Sequence, residues 1–277
     1  MRRRISEVDV FTHERYRGNP CAVVLDGDGL DDEAMQRFAH WTNLSETTFL
    51  LPAEADGADY HVRIFTPVAE LPFAGHPTLG SAHAWLEAGG VPRDDDEIVQ
   101  ECGSGLVRVR RTERLAFAAP PLLREGPVTD DERAQILAAL ALTDNDVVDL
   151  SWGDNGPGWV VALLRDAHAV LDVRPDWSSF GGLDIGVVGP YPPGSECAVE
   201  VRAFCPSIGV VEDPVTGSLN ASVAQWLAGD RLPTSYVASQ GTALGRAGRV
   251  HVEKDGDTVW VGGDAATTIK GTVGVGS

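Results

Sequence analysis

Lysine and long apolar runs are what this sequence has least of. The 277 residues contain two lysines, Lys254 and Lys270, and both lie outside the motifs described below, so chemistry through a lysine Schiff base is not expected. No apolar run reaches the roughly 20 residues that a membrane-spanning helix needs. The residues after Arg4 form no apolar signal-peptide core. We therefore expect a cytoplasmic protein without a membrane partner.

Cysteine is also scarce and is not arranged for metal binding. The sequence has four cysteines, none in a C-x-x-C pair and none at zinc-binding spacing from a histidine; they are Cys21, Cys102, Cys197 and Cys205. A glycine-rich dinucleotide loop is missing near the motifs as well. The sequence therefore predicts reduced, buried thiols and neither a metal nor an organic cofactor.

Basic residues are few relative to acidic ones. With 22 Lys and Arg against 41 Asp and Glu, the formal net charge is −19. Such a chain repels phosphate backbones and anionic lipids, so nucleic acid is not an expected partner. A small anionic metabolite remains possible, because the amide groups at a helix start can outweigh the overall field.

The most informative feature present is an internal duplication. The pattern R-x-F-x-P, then E-x-P-x-x-G, then a helix-like run occurs once from Arg63 to Gly75 and again from Arg202 to Gly217. A repeat at about half the chain length indicates two similar domains. Each copy places a glycine at a predicted helix start, where backbone N–H groups can bind an anion. Together, two such starts would suit a small acidic metabolite.

The predicted elements give an α+β fold of two strand-rich domains, residues 1–120 and 121–277, with the last strand free to return to the first domain. The boundary is placed at Pro120-Pro121. Two helices are apolar almost all round, which predicts a curved sheet or barrel wrapped around each. Predicted helices cover residues 31–41, 77–88, 130–141 and 218–227. Predicted strands cover 6–11, 21–25, 47–51, 61–65, 98–102, 106–110, 158–164, 199–204, 250–252 and 259–261.

Three side chains are candidates for chemistry, and each also has a purely structural interpretation. Glu46 follows Ser45 in a polar turn, and taken alone the residues favour a solvated acid there. His76 would be a hydrogen-bonded core histidine, and Asp213 an acid paired with a helix dipole. The duplication argues against the interpretation of His76 as a core histidine, because Thr216-Gly217-Ser218 places polar groups at the equivalent helix start.

Five blocks, in order along the whole chain, resemble the PhzF family of phenazine biosynthesis, which shares its fold with diaminopimelate epimerase. The blocks are Asp9-Val-Phe11-Thr12 with Gly18-Asn19-Pro20, Asn43-Leu-Ser45-Glu46-Thr47, Gly75-His76-Pro77-Thr78, Glu212-Asp213-Pro214-Val-Thr216-Gly217-Ser218, and Gln240-Gly241 with Gly245-Arg246.

The resemblance implies roles for these residues. Glu46 would be the general acid/base, and His76 and Asp213 would assist proton transfer and hold the substrate. It also implies a homodimer that uses neither a metal nor an organic cofactor. The implied substrate-binding residues are Ser45, Gly75, Thr216, Gly217 and Ser218.

The sequence departs from the related patterns at the helix starts. Leu219-Asn220-Ala221 stands where the PhzF family usually has Ala-His-Gly. The exact phenazine-pathway substrate is therefore not carried over to this chain. Ala74 and Thr216 stand where the epimerases carry their two cysteines, so racemisation by two cysteine bases is not supported.

The function expected from these residues is a cofactor-free isomerase. Glu46 would move a proton between carbons of a small cyclic or dienic amino or hydroxy acid. Two alternatives stay open: a hydrolytic or C–C cleaving enzyme that uses the same residues on a related acid, and a catalytically silent protein that binds small acids.

Overall fold

The computed structural model describes residues 2–276 and divides the chain into two compact units. The first unit runs to Ala118 and resumes at Gly262, and the second comprises Ala119–Val261. The division predicted from the sequence lies two residues later, and the return of the last strand to the first domain was left open. That strand does return to the first unit, because it pairs along its length with the first strand of the chain.

The first unit contains two helices, the eight strands up to Ala118 and the last strand of the chain. Its helices are α1 (Asp32–Thr42) and α2 (Gly75–Glu87). Its strands are β1 (Arg2–Val10), β2 (Asn19–Val24), β3 (Glu46–Leu51), β4 (Tyr60–Phe65), β5 (Glu70–Leu71), β6 (Glu97–Cys102), β7 (Gly105–Arg111), β8 (Leu115–Ala118) and β18 (Ala265–Gly274).

The second unit contains three α-helices: α3 (Asp130–Leu140), α4 (Ala167–Asp172) and α5 (Gly217–Leu227). Its strands are β9 (Arg124–Pro127), β10 (Val147–Asp154), β11 (Trp159–Leu164), β12 (Asp184–Pro190), β13 (Val199–Cys205), β14 (Val210–Asp213), β15 (Ser235–Gln240), β16 (Gly248–Asp255) and β17 (Thr258–Gly263), the last ending at the boundary. Helix α4 was not predicted from the sequence, and neither were the strands β5, β8, β9, β10, β12, β14, β15 and β18.

The strand pairing repeats between the units. In the first, β1–β2 is antiparallel, β2–β3 parallel, β3–β4 and β4–β5 antiparallel, β4–β6 parallel and β6–β7 antiparallel. The same series of pairings runs through the second unit from β10 to β16. The prediction of an α+β fold with two similar strand-rich domains is therefore confirmed.

Each unit is built around one buried helix. Helix α2 packs against β1, β2, β3, β6, β8 and β18, and α5 packs against β10, β11 and β16. Gly80 allows α2 to lie close to β1 and β2, because a Cβ atom there would lie 3.2 Å from Val10 and 3.3 Å from Cys21. Helix α2 begins at Gly75, two residues before the predicted start at Pro77. Proline is tolerated there because the first-turn N–H groups have no intrahelical acceptor.

The duplicated motif encodes an ion pair that closes the same hairpin in each unit. Arg63 on β4 donates to both carboxylate oxygens of Glu70 at 2.7 and 2.6 Å, and Arg202 on β13 donates to both oxygens of Glu212 at 2.8 and 2.9 Å. Each guanidinium also lies over the phenylalanine two residues along its strand, at 5.1 and 4.8 Å from the ring centroid. The repeated Arg and Glu therefore fix the strand turn that leads into the central helix.

Within residues 2–276, none of the helices is both long enough and apolar enough to cross a membrane.

Candidate functional site

Glu46 and His76 lie next to each other in the first unit. Glu46 is the first residue of β3, and His76 is the second residue of α2. The Nδ1 atom of His76 is 3.3 Å from Oε2 of Glu46, and the two residues are only 3 % and 7 % exposed. The interpretation of Glu46 as a solvated acid is therefore wrong, because the carboxylate lies in the interior beside an imidazole.

Burial keeps the imidazole of His76 neutral. It lowers the pKa of His76 to about 3, because the surroundings disfavour the charged ring, although a hydrogen bond with the Pro20 backbone opposes this shift. The amide of Asn19 contacts the same Nδ1 atom at 3.4 Å. The Nε2 atom of His76 is buried and has no hydrogen-bond partner among the described residues. A neutral ring of this kind can exchange a proton with a carboxylate or a ligand.

The loop that leads into Asn19, the first residue of β2, is held by a buried carboxylate. Asp9, at 2 % exposure, accepts hydrogen bonds from the backbone N–H groups of Arg17 at 2.9 Å and Gly18 at 3.1 Å. Gly18 has to be glycine, since a Cβ atom there would lie 2.1 Å from the carbonyl oxygen of Val10. The blocks around Asp9 and Gly18 therefore place Asn19 against His76.

The start of α5 in the second unit carries a second polar group. Asp213 ends β14, and its Oδ2 accepts the hydroxyl of Thr216 at 2.5 Å. Gln240, at the end of β15, donates to the Thr216 hydroxyl at 2.9 Å and accepts the Thr216 amide at 3.0 Å. Asn220, one turn into α5, donates to Gln240 at 2.8 Å. Asp213 therefore lies at the start of α5, where an acid paired with the helix dipole would lie. Its contact there is a hydrogen bond from the Thr216 side chain.

Ser218, the second residue of α5, is held by two residues that the sequence analysis did not single out. The indole N–H of Trp159 donates to Ser218 Oγ at 3.0 Å, and the Asn155 amide donates to the Ser218 carbonyl at 2.9 Å. Since Trp159 occupies an acceptor position on the hydroxyl, the Ser218 proton can be given to a ligand. Ser218 occupies the place in α5 that His76 occupies in α2.

The two central helices differ from the other helices in how they begin. Helices α1, α3 and α4 are capped by Asp31, Thr129 and Asp166, whose side chains accept first-turn N–H groups. Helices α2 and α5 follow Ala74 and Thr216, and among the described residues neither cap position supplies such a bond. The cap residues of α2 and α5 therefore leave the first-turn amides and the partial positive charge of each start to other acceptors, such as an anion.

The predicted site residues separate by unit. Glu46, His76 and Gly75 come together in the first unit, with half-buried Ser45 immediately before β3; Asp213, Thr216, Gly217 and Ser218 come together in the second. Across residues 2–276, the side chains form no cluster of three or more His, Cys, Asp or Glu that could hold a metal ion. That the reaction needs no metal or cofactor stays a prediction.

Asn155, Trp159, Asn220 and Gln240 were not assigned roles from the sequence. A signal for Asn155 was present, because Asn155-Gly-Pro157 in the second half echoes Asn19-Pro20 in the first. Both loops join the first two strands of the repeat, and both asparagines contact the second residue of the central helix.

Comparison with known proteins gives one consistent result. Residues 8–271 match the family described as phenazine biosynthesis-like proteins, PhzC-PhzF. The sequence is 37 % identical over 286 residues to antisense-enhancing sequence 1 of Schizosaccharomyces pombe, covering 96 % of each chain. It is 35 % identical over 276 residues to trans-2,3-dihydro-3-hydroxyanthranilate isomerase of Pseudomonas aeruginosa, covering 95 % of this chain and 96 % of that one.

Solved structures agree with the sequence matches. A PhzF-family phenazine biosynthesis protein from Enterococcus faecalis aligns with a TM-score of 0.79 at 26 % identity, covering 99 % of both chains. A hydroxyproline epimerase from Agrobacterium vitis aligns with a TM-score of 0.57 at 15 % identity over 98 % of this chain and 92 % of that one. The second likeness extends to the fold alone.

Proposed function

Since the chain belongs to the phenazine biosynthesis-like PhzC-PhzF family and is an isomerase of that family, we propose that it moves a proton between two carbons of a small cyclic or dienic amino or hydroxy acid, without a cofactor. The observation that carries the proposal is the buried contact between Glu46 and neutral His76 at the start of α2. A carboxylate removed from bulk water and placed beside a neutral imidazole suits proton abstraction from carbon.

Glu46 is the proposed base and then the acid. It takes a proton from one carbon of the substrate and returns it to another, so that the double bonds shift and no atom is gained or lost. His76 presents its unpartnered Nε2 as the second polar contact, and its neutral ring places no positive charge beside Glu46.

The uncapped starts of α2 in the first unit and of α5 in the second are each a proposed binding group for an anion. Their amides suit a carboxylate, and they can also stabilise the negative charge that develops as the C–H bond breaks. In the second unit the Ser218 hydroxyl, which already accepts from Trp159, can donate to an anion at the start of α5. Asp213 assists at that helix start.

The relative from Pseudomonas aeruginosa suggests a first probe, because its named substrate is a cyclic dienic acid that bears an amino and a hydroxyl group. Leu219-Asn220-Ala221 in α5 favours a related acid over that substrate itself. A homodimer in solution is part of the proposal, and the molar mass measured by light scattering tests it.

The test of function is NMR of the probe, trans-2,3-dihydro-3-hydroxyanthranilate, and of a panel of related cyclic acids, in deuterated water. An isomerase gives a product of unchanged composition that carries solvent deuterium at the new C–H position or retains the original proton there. A product with water added, or with a C–C bond cleaved, would replace the proposal with the hydrolytic or cleaving alternative. Binding without any turnover or exchange across the panel would indicate a silent binding protein.

A further inference from the structure

A chain of buried hydrogen bonds in the second unit connects Asn220 to Asp213. Asn220 and Gln240 are completely buried, and Thr216 and Asp213 are nearly so. The contacts run from the Asn220 amide to Gln240 at 2.8 Å, from Gln240 to the Thr216 hydroxyl at 2.9 Å, and from that hydroxyl to Asp213 at 2.5 Å. The chain therefore ends on a proposed catalytic carboxylate.

The direction of every bond in this chain is fixed by its neighbours. Oε1 of Gln240 faces the backbone N–H of Thr216 at 3.0 Å, and a backbone N–H can only donate. The Gln240 amide nitrogen must therefore face the Thr216 hydroxyl, and it also donates to the Asp213 carbonyl at 3.2 Å. Since the hydroxyl oxygen accepts from Gln240, its single proton is given to Oδ2 of Asp213.

Asn220 reinforces this orientation from the helix side. Its amide nitrogen donates to the carbonyl of Thr216 at 2.9 Å as well as to Oε1 of Gln240. Both acceptors are oxygens, so the nitrogen of Asn220 faces them and its oxygen faces away. A second donor thus holds Gln240 in the orientation that the Thr216 amide already favours.

Comparison with the first unit distinguishes two roles of Gln240: anchoring the central helix and orienting the Thr216 hydroxyl. Gln100 on β6 donates to Thr78 at 3.0 Å, and Thr78 occupies the place in α2 that Asn220 occupies in α5. A glutamine on the strand that follows the central helix therefore anchors that helix in both units. In the first unit the position of Thr216 is taken by Ala74 and that of Asp213 by Leu71, so these two positions supply neither the hydroxyl nor the carboxylate that ends the chain in the second unit.

We propose that Gln240 and Asn220 are positioning residues that make the Thr216 hydroxyl a fixed donor to Asp213, and so hold the Asp213 carboxylate in the orientation that proton transfer requires. This inference rests on the proposed function, in which Asp213 assists at the helix start. It also gives Asn220, where the sequence departs from the family pattern, a function within this chain.

The chain of bonds can be tested in the protein alone, by the side-chain amide signals of Gln240 in ¹⁵N NMR spectra. These signals are assigned by their loss in Gln240→Glu. We expect Thr216→Val and Asp213→Asn to shift them, because the first removes the hydroxyl that accepts from Gln240 and the second changes the group to which that hydroxyl donates. Ser222→Ala is the matched control, since Ser222 is a buried polar residue of α5 whose hydroxyl bonds to Ser218 at 3.1 Å and not to this chain. Gln240 signals that are the same in Asp213→Asn and wild type would overturn the inference.

Kinetics on the isomerised acid test the positioning role. Thr216→Val and Gln240→Glu should lower kcat by roughly 10–100-fold, the value of a hydrogen bond to a charged group, with KM changed little. Thr216→Ser, which keeps the hydroxyl, should restore most of the rate. Gln240→Glu should recover activity as the pH falls, because a protonated carboxyl again donates to Thr216, and a purely structural defect would not respond in this way.

The outcomes separate this inference from the proposed function. If Asp213→Asn is impaired while Thr216→Val and Gln240→Glu turn over at the wild-type kcat, the positioning role is wrong and the proposed function stands. If Asp213→Asn itself turns over at the wild-type rate, Asp213 has no catalytic role, so the positioning inference fails while isomerisation by Glu46 stands. Thr216→Val matches the volume of threonine, so it remains informative if Gln240→Glu does not fold.

Discussion

The burial of His76 makes the stability of the protein depend on pH in a defined window. The pKa of His76 is about 3 in the folded protein and 6.5 in its ordinary state. Between these values the unfolded chain holds a proton that the folded chain does not, so the free energy of unfolding rises with pH there. The stability that depends on neutral His76 is fully present above pH 6.5 and is progressively lost as the pH falls towards 3.

The size of the effect follows from the shift. One proton contributes about 1.4 kcal/mol for each pH unit, so lowering the pH from 7 to 5 should cost about 2 kcal/mol through His76 alone. In His76→Gln this loss should be absent, because glutamine does not titrate. Urea unfolding at pH 7 and pH 5 measures the change in the free energy of unfolding for wild type and for His76→Gln. Subtracting the change in the variant from that in wild type removes the contribution of the other titrating groups.

His83 supplies the comparison variant. Burial lowers the pKa of His83 too, but its side chain is 23 % exposed and the nearby Glu87 carboxylate opposes the shift. His83→Gln should therefore change the pH dependence less than His76→Gln. Equal losses of stability between pH 7 and pH 5 in wild type and His76→Gln would refute the view that His76 is buried in its neutral form.

Three further outcomes are expected. Arg202→Met should destabilise the protein by about 3–5 kcal/mol, because it leaves Glu212 buried without its partner, whereas the more exposed Arg63→Met should cost about 1 kcal/mol; chemical denaturation compares them, and equal costs would contradict the assignment. Trp159→Phe should raise KM roughly 2–10-fold with kcat nearly unchanged, since the donor to Ser218 is lost, and an unchanged KM would remove Ser218 from the binding groups. Activity should survive excess EDTA, and inactivation that added metal reverses would show a metal requirement.

The duplication could be predicted because the residues that form it are local. An arginine, a phenylalanine two residues later and a glutamate at the next turn fall close together in sequence. In each copy the arginine, Arg63 or Arg202, forms the same ion pair with that glutamate. The central helices could be predicted for the same reason, since their apolar surface is visible all round. The start of α2 was misplaced because proline suits any position in the first turn.

Features that depend on distant residues could not be predicted. The pairing of β18 with β1 joins opposite ends of the chain, so the return of residues 262–277 to the first unit was left open. Glu46 follows a polar turn and was interpreted as solvated, because its burial depends on α2 and not on its neighbours. The role of Gln240 likewise appears only when β15 reaches the start of α5.

The most direct test of the account is the turnover of Glu46→Gln on an acid that the wild-type protein isomerises, with the dissociation constant of that acid measured alongside. Glutamine keeps the size and the hydrogen bonding of Glu46 but cannot take a proton. We expect turnover to fall roughly 10²–10⁴-fold with affinity little changed, while Glu101→Gln, which alters a carboxylate bound to the Glu54 and Ala55 backbone, keeps the wild-type rate. Wild-type turnover in Glu46→Gln together with an inactive Asp213→Asn would contradict the account.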